Sequence, residues 1–506
     1  MEYVDIETKY VVSKELVEIP LGNRIAVYHR LLGGLTLLDA DSSEALKAFT
    51  LPQTIQQESL EESDSRYHQL LRQLILRQFL IPSTPQKHDA QAASSFLNKQ
   101  IHVIQLVMAN ACNFGCKYCF EGIQGKEMSA ESEMSKVDES RIIARDSIQI
   151  NLNDSMYAST TRFEHQFDPK NRAMKPSDAI KYTENALDIA KSQGVNEVMI
   201  QFFGGEPMLN WKAIRAVLDR FNRGENDELI INYSIVTNGS LFTDEIAQIF
   251  AKYEVATCVS FDSPTSPNRP LKNGDDSTPT VVNGLQHLKK YNNRIAINAA
   301  LTSSTWHEFD NSIVDFAKKA GASEIGVIVD FDPTFYANFG TENIINKLWS
   351  VIEYGRDHGV ILTGYWHQIF QVMLGLDVVS HRGFKNCSAK GAQLSIEPNG
   401  SVFSCKAGST LLGKISEGEG LLQSQNYIGH AELRTNNPEY CRGCEIEGFC
   451  GGLCLGSLEK KFGEINVVED SVCDFYRGIT KKHIEALQPF DVATLDLGHV
   501  DEEAVV

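Results

Sequence analysis

Cys112, Cys116 and Cys119 stand on one short segment, separated by Asn-Phe-Gly and Lys-Tyr. Three thiolates on a tight loop can each hold one iron of a [4Fe–4S] cube, which ordinarily takes four cysteines. One iron then keeps an open position where a substrate or cofactor can chelate. A structural metal knot with its fourth ligand elsewhere in the chain is the plainer alternative. A second set is denser: Cys387, Cys405, Cys441, Cys444, Cys450, Cys454 and Cys473. Four cysteines between 441 and 454 call for a metal. A zinc ribbon would use such Cys-x2-Cys pairs, but seven thiols suit neither one zinc nor two. Cys258, mid-strand among apolar residues, reads as a core thiol.

These residues need a frame to hold them. The chain has 506 residues, enough for about two to four domains, and its 42% apolar fraction can build a core. Asp plus Glu exceed Lys plus Arg, 66 against 47, for a net charge of −19. That balance argues against nucleic acid or an anionic membrane as the main partner. The opening MEYVDIETKY has no basic, then apolar, signal pattern, and no apolar run approaches the ~20 residues of a membrane span. The expectation is a soluble, cytoplasmic protein. Eleven cysteines, an odd count, make a disulfide framework improbable there.

Residues 1–90 read as a separate module. Asn23–Leu32 and Leu35–Leu38 across Gly33-Gly34 predict a hairpin. Asp41-Ser42-Ser43-Glu44 predicts a capped short helix to Phe49, and Ser65–Phe79 a longer helix before Pro82. Strands followed by helices suggest a winged-helix-like unit, with Pro82–Ser95 as linker. From residue 100, strands Ile101–Met108, Glu197–Phe203, Leu229–Val236, Val255–Phe261, Arg294–Leu301 and Glu324–Phe331 alternate with helices Ser177–Ser192, Trp211–Phe221, Asp244–Tyr253, Val281–Tyr291 and Asn311–Ala320. This predicts an α/β fold with a parallel sheet and outer helices, a partial barrel of six units. Gly125–Lys175 breaks the rhythm and reads as an insertion, either a lid or a pair of helices. Residues 336–380 are expected to be a helical bridge, 381–485 a cysteine-rich domain and 486–506 an acidic tail.

The Cys-x3-Cys-x2-Cys spacing, with Tyr118 before the last cysteine, resembles the radical S-adenosylmethionine (SAM) superfamily over roughly residues 100–335. The resemblance implies a (β/α)6 partial barrel in which Cys112, Cys116 and Cys119 bind the cluster and SAM occupies the open iron. One electron, from a reductant such as ferredoxin or flavodoxin, cleaves SAM to methionine and a 5′-deoxyadenosyl radical that takes a substrate hydrogen. Gly204-Gly205-Glu206-Pro207 is similar to the family motif that holds the SAM amino group. Its glycines permit close backbone approach and Glu206 can accept from an ammonium, although the four residues alone would also make a strand-ending turn. Thr237-Asn238-Gly239, Ser260-Phe261-Asp262 and Arg269 look like the family's ribose- and carboxylate-contacting positions. Tyr118, Gly204, Gly205, Glu206, Ser260 and Arg269 are thus the candidate SAM contacts, with Asp262-Ser263 standing where the family more often has Asp-Gly. Asp330 and Asp332 either face the same mouth or form a solvated loop before Pro333.

The second cysteine set resembles the SPASM domain, a C-terminal extension of radical SAM enzymes that modify peptides and proteins. By that resemblance Cys387, Cys405 and Cys454 hold one auxiliary cluster, and Cys441, Cys444, Cys450 and Cys473 another. The total is three [4Fe–4S] clusters. A full cluster takes four thiolates, so the first auxiliary cluster is expected to have one open site, or one filled by water, His381 or another side chain. In sulfatase-maturing relatives an Asp follows the cysteine matched by Cys405 and acts as base. Lys406 stands here, and an ammonium cannot do that work without a large pKa shift. The N-terminal module is similar to the leader-recognition element of peptide maturases, where a leader adds as a strand to a sheet edge; a plain structural or dimerisation unit is the alternative. The expectation is a maturase of a ribosomally made precursor peptide, installing a thioether, a carbon–carbon crosslink or a backbone rearrangement. Sulfatase-type protein maturation and a non-catalytic metal-bound peptide scaffold are the alternatives.

Overall fold

The protein is described here by a computed structural model, which covers residues 8–55, 66–84, 100–119, 142–144, 171–221, 229–264, 268–374, 387–432, 441–450, 454–456, 467–488 and 492–495. The N-terminal residues build two small sheets. β1 (Lys9–Val12) pairs antiparallel with strands at Gln53–Thr54 and Leu80–Pro82. β2 (Leu16–Leu21), β3 (Arg24–His29) and β4 (Gly33–Leu38) form an antiparallel meander. The hairpin turn expected at Gly33-Gly34 lies earlier, at Arg30-Leu31-Leu32, and both glycines belong to β4. Gly33 has φ +87°, and a Cβ there would sit 2.8 Å from the Met373 carbonyl oxygen, so chain packing, not the turn, requires the glycine.

α1 (Ala40–Lys47) also starts earlier than expected. Its cap is Asp39, whose carboxylate accepts from the Ser42 amide at 2.8 Å, rather than the Asp41–Glu44 box. α2 (Arg66–Leu76) buries Leu70, Leu71 and Leu74 against Tyr10, Val27, Leu38 and Phe79, a core separate from the main one. The expected linker lies outside the described residues beyond residue 84.

All six strands expected between residues 100 and 335 are present. In the numbering that counts Gln53–Thr54 as β5, Leu80–Pro82 as β6 and Ile142–Ala144 as β8, they are β7 (Val103–Ala109), β9 (Glu197–Gly204), β10 (Ile230–Thr237), β11 (Ala256–Ser260), β12 (Ile295–Leu301) and β13 (Glu324–Val329). They lie side by side in sequence order and all run parallel. Unreversed order with right-handed crossovers sends every connecting helix to the same face. Those helices are α3 (Pro176–Ser192), α4 (Trp211–Arg220), α5 (Asp244–Lys252), α6 (Thr278–Lys290) and α7 (Ser312–Ala320). Period-two burial follows. Val198, Ile200 and Phe202 of β9 are buried beneath the helices, while Met199, Gln201 and Phe203 line the other, half-buried face. Cys258 falls on that second face of β11 rather than in the helix-covered core.

The sheet does not stop at six strands. After α8 (Pro333–Phe339) and α9 (Thr341–Asp357), β14 (Ile361–Thr363) adds in parallel beyond β13, within the stretch expected to be a helical bridge. α10 (Tyr365–Leu374) follows. At the opposite edge β15 (Gln393–Ile396) pairs parallel with β7, and β16 (Ser401–Phe403) and β17 (Leu411–Lys414) continue it antiparallel. The result is an open ten-stranded sheet shared by the barrel and the cysteine-rich region. Of the expected insertion, only 142–144 and 171–175 are described. β8 pairs with β18 (Val467–Glu469), and Met174 returns to β7 with its amide on the Met108 carbonyl at 3.0 Å. α11 (Gln425–Glu432) and α12 (Asp470–Glu485) lie in the cysteine-rich region. The N-terminal module docks through Arg30, which pairs with Glu15 and Glu447, and through Tyr28 against Phe449 at 6.4 Å.

α12 closes against the bridge through an aromatic stack. His483 lies flat on Trp366 and Phe370, centroids 5.7 and 4.9 Å apart, and edge-on to Trp349 at 5.0 Å. Its Nε2 is buried, with no hydrogen-bond partner among the described residues. Burial lowers its pKa to about 3, and nearby His367 and Arg356 add to the effect. The folded state therefore holds His483 neutral where the unfolded chain would protonate it. This stability is complete above the ordinary histidine pKa of about 6.5 and drains away as pH falls from there toward 3. His483→Phe should keep the stack and remove this term. Thermal unfolding from pH 7.5 to 5 should show a steeper loss for the parent chain; equal slopes would refute the assignment.

Candidate functional site

The cysteine loop leaves the C-terminal end of β7, where parallel sheets present their sites. Neighbouring strand ends hold it through backbone bonds. The Gly205 and Glu206 amides donate to the Ala109 and Ala111 carbonyls, both at 2.8 Å. Gly204 has φ +141°, and a Cβ there would lie 2.4 Å from the Ala109 oxygen, so only glycine lets β9 come this close. Glu206 is fully buried and accepts from the Met208 amide (3.0 Å), Thr237 Oγ1 (2.6 Å) and the Asn238 amide (2.7 Å). Burial raises its pKa to about 7 against these bonds. The carboxylate thus ties the ends of β9 and β10 together, a role its motif alone does not reveal.

From β10, Asn238 Nδ2 reaches Asn113 Oδ1 at 2.8 Å and Cys112 Sγ at 3.9 Å. Asn113 in turn donates to Ser240 Oγ at 2.9 Å. On the far side the segment after β11 runs along the loop. The amides of Gly115 and Lys117 donate to the carbonyls of Pro270 (2.7 Å) and Asn268 (3.0 Å), and the Lys272 amide donates to Asn113 (3.1 Å). Neither Asn238's link to a thiol nor this backbone ladder has a sequence signature beyond the turn-forming residues themselves.

Asp262 fastens the loop's other end. Its buried carboxylate accepts from the Tyr118 hydroxyl, from Arg269 Nε at 2.9 Å and from the Ala300 amide at 3.0 Å. Arg269 also lies over the Tyr118 ring, 5.4 Å from its centroid. Burial opposes its charge, but Asp262 and Tyr118 hold its pKa up, and it stays a cation. Tyr118 and Arg269 are thus brought together, and Ser260 lies one strand residue before Phe261, whose amide donates to Asn298 at 2.8 Å. Asp332 caps α8, accepting from the Thr334 amide at 2.8 Å, and Asp330 accepts from the Asp332 amide at 3.0 Å.

The thiols of the loop lie within electrostatic reach of one another. Burial pushes Cys112 up to about 12; the Phe114 amide, 3.4 Å from its sulfur, opposes this, and Glu206, Cys116 and Cys119 add to it. Such a cluster needs a cation to become thiolate. Among the described residues no three His, Cys, Asp or Glu side chains converge as ligands of a single ion. Three thiols on one loop are the donor set that three irons of a cube would take. In the second set, Cys387, Cys405 and Cys454 are all within electrostatic reach of Tyr365. Burial raises the Cys473 thiol, and Cys450, Cys441 and Cys444 add to it. Tyr476 feels both Cys450 and Cys454. His381 and Asn386 lie outside the described residues.

Between the two cysteine regions lies a buried polar row that the sequence did not announce. Gln105 of β7 bonds Gln201 of β9 at 2.7 Å and accepts from the Lys406 amide at 2.7 Å. Lys406 Nζ donates to Asn110 Oδ1 at 2.8 Å and lies 3.6 Å from Glu397, both charged side chains being at most 2% exposed. Asn110 completes the link to Glu397 at 2.8 Å.

Known proteins were compared with this chain. Residues 106–316 match the Radical SAM superfamily. A relative from Paramaledivibacter caminithermalis, named radical SAM cyclopropyl synthase TigE, is 36% identical over 473 residues, 92% of this chain and 93% of that protein. The chain belongs to the radical SAM superfamily. It is therefore a radical SAM enzyme, of a family that carries a [4Fe–4S] cluster and SAM. Among solved structures, native anSMEcpe with bound AdoMet superposes with a TM-score of 0.54 at 17% identity, covering 76% of this chain and 97% of that one. The same protein with AdoMet and the Cp18Cys peptide gives 0.53, also at 17%, over 76% and 96%. These confirm the radical SAM α/β fold with its mixed sheet. No helix among the described residues is long and apolar enough to cross a membrane.

Two outcomes follow from this geometry. Asp262→Ala should free Tyr118 and Arg269, and hydrogen exchange of residues 112–119 should accelerate at least about tenfold, the kinetic equivalent of losing one charged hydrogen bond; unchanged exchange would show that the backbone ladder suffices. Lys406→Met strands the Glu397 carboxylate and should cost about 3–5 kcal/mol in denaturant unfolding. The double variant with Glu397→Leu should recover much of it.

Proposed function

We propose that this enzyme modifies a ribosomally made peptide by closing a carbon–carbon bond, with a cyclopropane inside one side chain as the favoured product. The observation that carries the reading is the near-complete alignment with a relative named cyclopropyl synthase, joined to a loop that sets three thiols beside Gly204–Glu206 and Arg269. An in-residue ring was not among the crosslinks expected from sequence.

In this reading Cys112, Cys116 and Cys119 hold the SAM-cleaving cluster, and the backbone at Gly204–Glu206, with Tyr118, Ser260 and Arg269, contacts SAM. The bound cluster supplies the electron that cleaves SAM to methionine and a 5′-deoxyadenosyl radical. The chain's own part is to fix the loop. Asn238 points an N–H at the Cys112 sulfur, and Arg269, held charged by Asp262, offers a cation for the SAM carboxylate. Ring closure removes two hydrogens from the substrate: one as an atom to the 5′-deoxyadenosyl carbon, the other as a proton and an electron. Cys387, Cys405 and Cys454, with Cys441, Cys444, Cys450 and Cys473, are the ligands for two auxiliary clusters that would receive that electron. Seven thiols leave the first of these one ligand short. Ferredoxin or flavodoxin is the proposed source of the starting electron, in a cytoplasmic setting. Residues 1–90 are the proposed leader-recognition module, 100–335 the barrel and 381–485 the SPASM domain.

Lys406 supports a substrate other than a sulfatase. Its ammonium is buried against Glu397 and Asn110, so no free carboxylate base stands at this position. The half-buried sheet face, with Gln201, Ser234, Cys258 and Asn298 and with the exposed Ile328, offers room and mixed polarity for an extended peptide.

Anaerobically reconstituted protein should hold about twelve irons, four per cluster, and form 5′-deoxyadenosine from SAM and dithionite. Replacing Cys112, Cys116 and Cys119 together by Ala should abolish SAM cleavage and leave about two thirds of the iron. Colourless, zinc-loaded protein would overturn the proposal, as would cleavage that survives the triple substitution. A substrate peptide should lose about 2 Da, the mass of two hydrogen atoms, with ring protons rather than alkene protons in its NMR spectrum; that loss follows from removing one hydrogen atom, one proton and one electron.

A further inference from the structure

The first auxiliary set lacks a fourth thiol, and the fold places a different donor beside it. Cys387 precedes β15 and Cys405 follows β16, on one flank of the ten-stranded sheet, while β14 is the opposite edge. On a flat sheet β14 and β15 would stand about 34 Å apart, at about 4.8 Å per strand. Yet Tyr365, two residues past β14, lies within electrostatic reach of Cys387, Cys454 and Cys405. The sheet therefore curls until its flanks approach, and four chain segments converge there.

Packing fixes these segments. Cys387 and Cys405 lie on Ala389 and on Leu455, the residue next to Cys454. A Cβ on Gly456 would come 2.5 Å from the Ala407 Cβ, so residues 454–456 press on residues 405–407. Gly364 lets β14 turn tightly into α10, since a Cβ there would lie 2.5 Å from the Val327 carbonyl oxygen. The same oxygen accepts from Trp366 Nε1 at 3.1 Å, which pins the residue after Tyr365. The Tyr365 ring itself stands 6.5 Å from that of Phe331, at the end of β13.

The surroundings of Tyr365 differ from those of a core ring. It keeps 42% of its surface accessible, although burial is the leading cause that raises its phenol pKa. A ring both crowded and accessible lines an enclosed hollow. Lys390, only 4% exposed, lies near Cys387 and opposes the effect of burial on that thiol. A buried cation beside three thiols suits a set of donors that bind as anions. A tyrosine oxygen can hold iron, as it does in some haem proteins, and the metal's charge offsets the cost of deprotonating the phenol.

We propose that Tyr365 is the fourth ligand of the cluster held by Cys387, Cys405 and Cys454, its phenol losing a proton as the oxygen bonds iron. A resident donor closes the position that three cysteines leave open, so this cluster accepts electrons and does not bind substrate through iron. The inference rests on the auxiliary-cluster part of the proposed function.

The test reads spectra and needs no turnover. The chain with Cys112, Cys116 and Cys119 replaced by Ala, reconstituted anaerobically, should hold about eight irons, all in auxiliary clusters. Its resonance Raman spectrum should show iron-bound tyrosine ring modes, and adding Tyr365→Phe, which keeps the ring and removes the oxygen, should abolish them. Cyanide should shift the EPR spectrum of the reduced Tyr365→Phe protein and leave the parent's unchanged. Tyr365→Cys, which supplies a fourth thiolate, should restore resistance to cyanide. Should Tyr365→Phe lose the cluster altogether, retention of all the iron in Tyr365→Cys supports the assignment equally. Absence of tyrosine modes from the parent, or cyanide acting alike on parent and Tyr365→Phe, overturns it. A cyanide-sensitive iron created by His381→Ala instead assigns the position to His381 and also overturns it. Iron content well below eight in the triple-Ala parent would overturn the auxiliary clusters themselves, a result distinct from every spectral outcome.

Discussion

The parallel pairing of β7 on both of its sides is the constraint on which the rest of the structure depends. On one side it registers with β9, Ala109 against Gly204, and on the other with β15, Leu106 against Ile396. A single strand therefore delivers the Cys112 loop at its end, places Gly204–Glu206 beside that loop, and joins the sheet that leads to Cys405. One core runs from Ala26 through the barrel to Ile484 and contains the half-buried Cys112, Cys116, Cys444, Cys450 and Cys473 at its margin. Cys387 and Cys405 pack instead on a small separate cluster with Ala389 and Leu455.

Buried charge is used sparingly and always in company. Asp262 and Glu397 are both essentially inaccessible, where an unpaired carboxylate would be costly. Each is met by a cation and by neutral donors: Arg269, Tyr118 and the Ala300 amide in one case, Lys406 and Asn110 in the other. Such pairs add little net stability over apolar packing, but they reject any arrangement in which the charge is stranded. Asp262 holds the loop at Tyr118, and Glu397 holds the residue before it at Asn110. Glu206 is held by neutral donors alone, and burial outweighs those bonds to carry its pKa up to about 7.

The N-terminal module is bound into this assembly rather than appended to it. Arg30 reaches Glu447 within the second cysteine region, and a Cβ on Gly448 would lie 2.1 Å from the Leu31 carbonyl oxygen. The hairpin turn and the cysteine segment therefore fit backbone to backbone. β19 (Ala493–Leu495) pairs with β4 of the same module, so the module is tied both to the cysteine-bearing region and to a late stretch of the chain.

Local rules made much of this legible. Period-two and period-3.6 patterns located the six barrel strands and their helices to within a few residues, because each element buries one face and its side chains record that face directly. Cysteine spacing carried the chemistry, since ligands on one loop must be close in sequence. The errors have local causes too: Asp39 and Asp41 are both competent caps, and Gly33 was a packing glycine that resembled a turn. What the sequence could not show were pairings between distant segments whose residues carry no motif. Lys406 with Glu397 and Asn110, Asn238 with Cys112, Arg30 with Glu447, and β19 with β4 each depend on where the sheet brings two stretches together. The sequence by itself determined which residues could hold iron and SAM and the order of the elements that carry them. Only the tertiary structure decided what orients those residues and which sheet edge is already filled, because hydrogen bonds and strand pairing are set by proximity in space and leave no periodic trace along the chain.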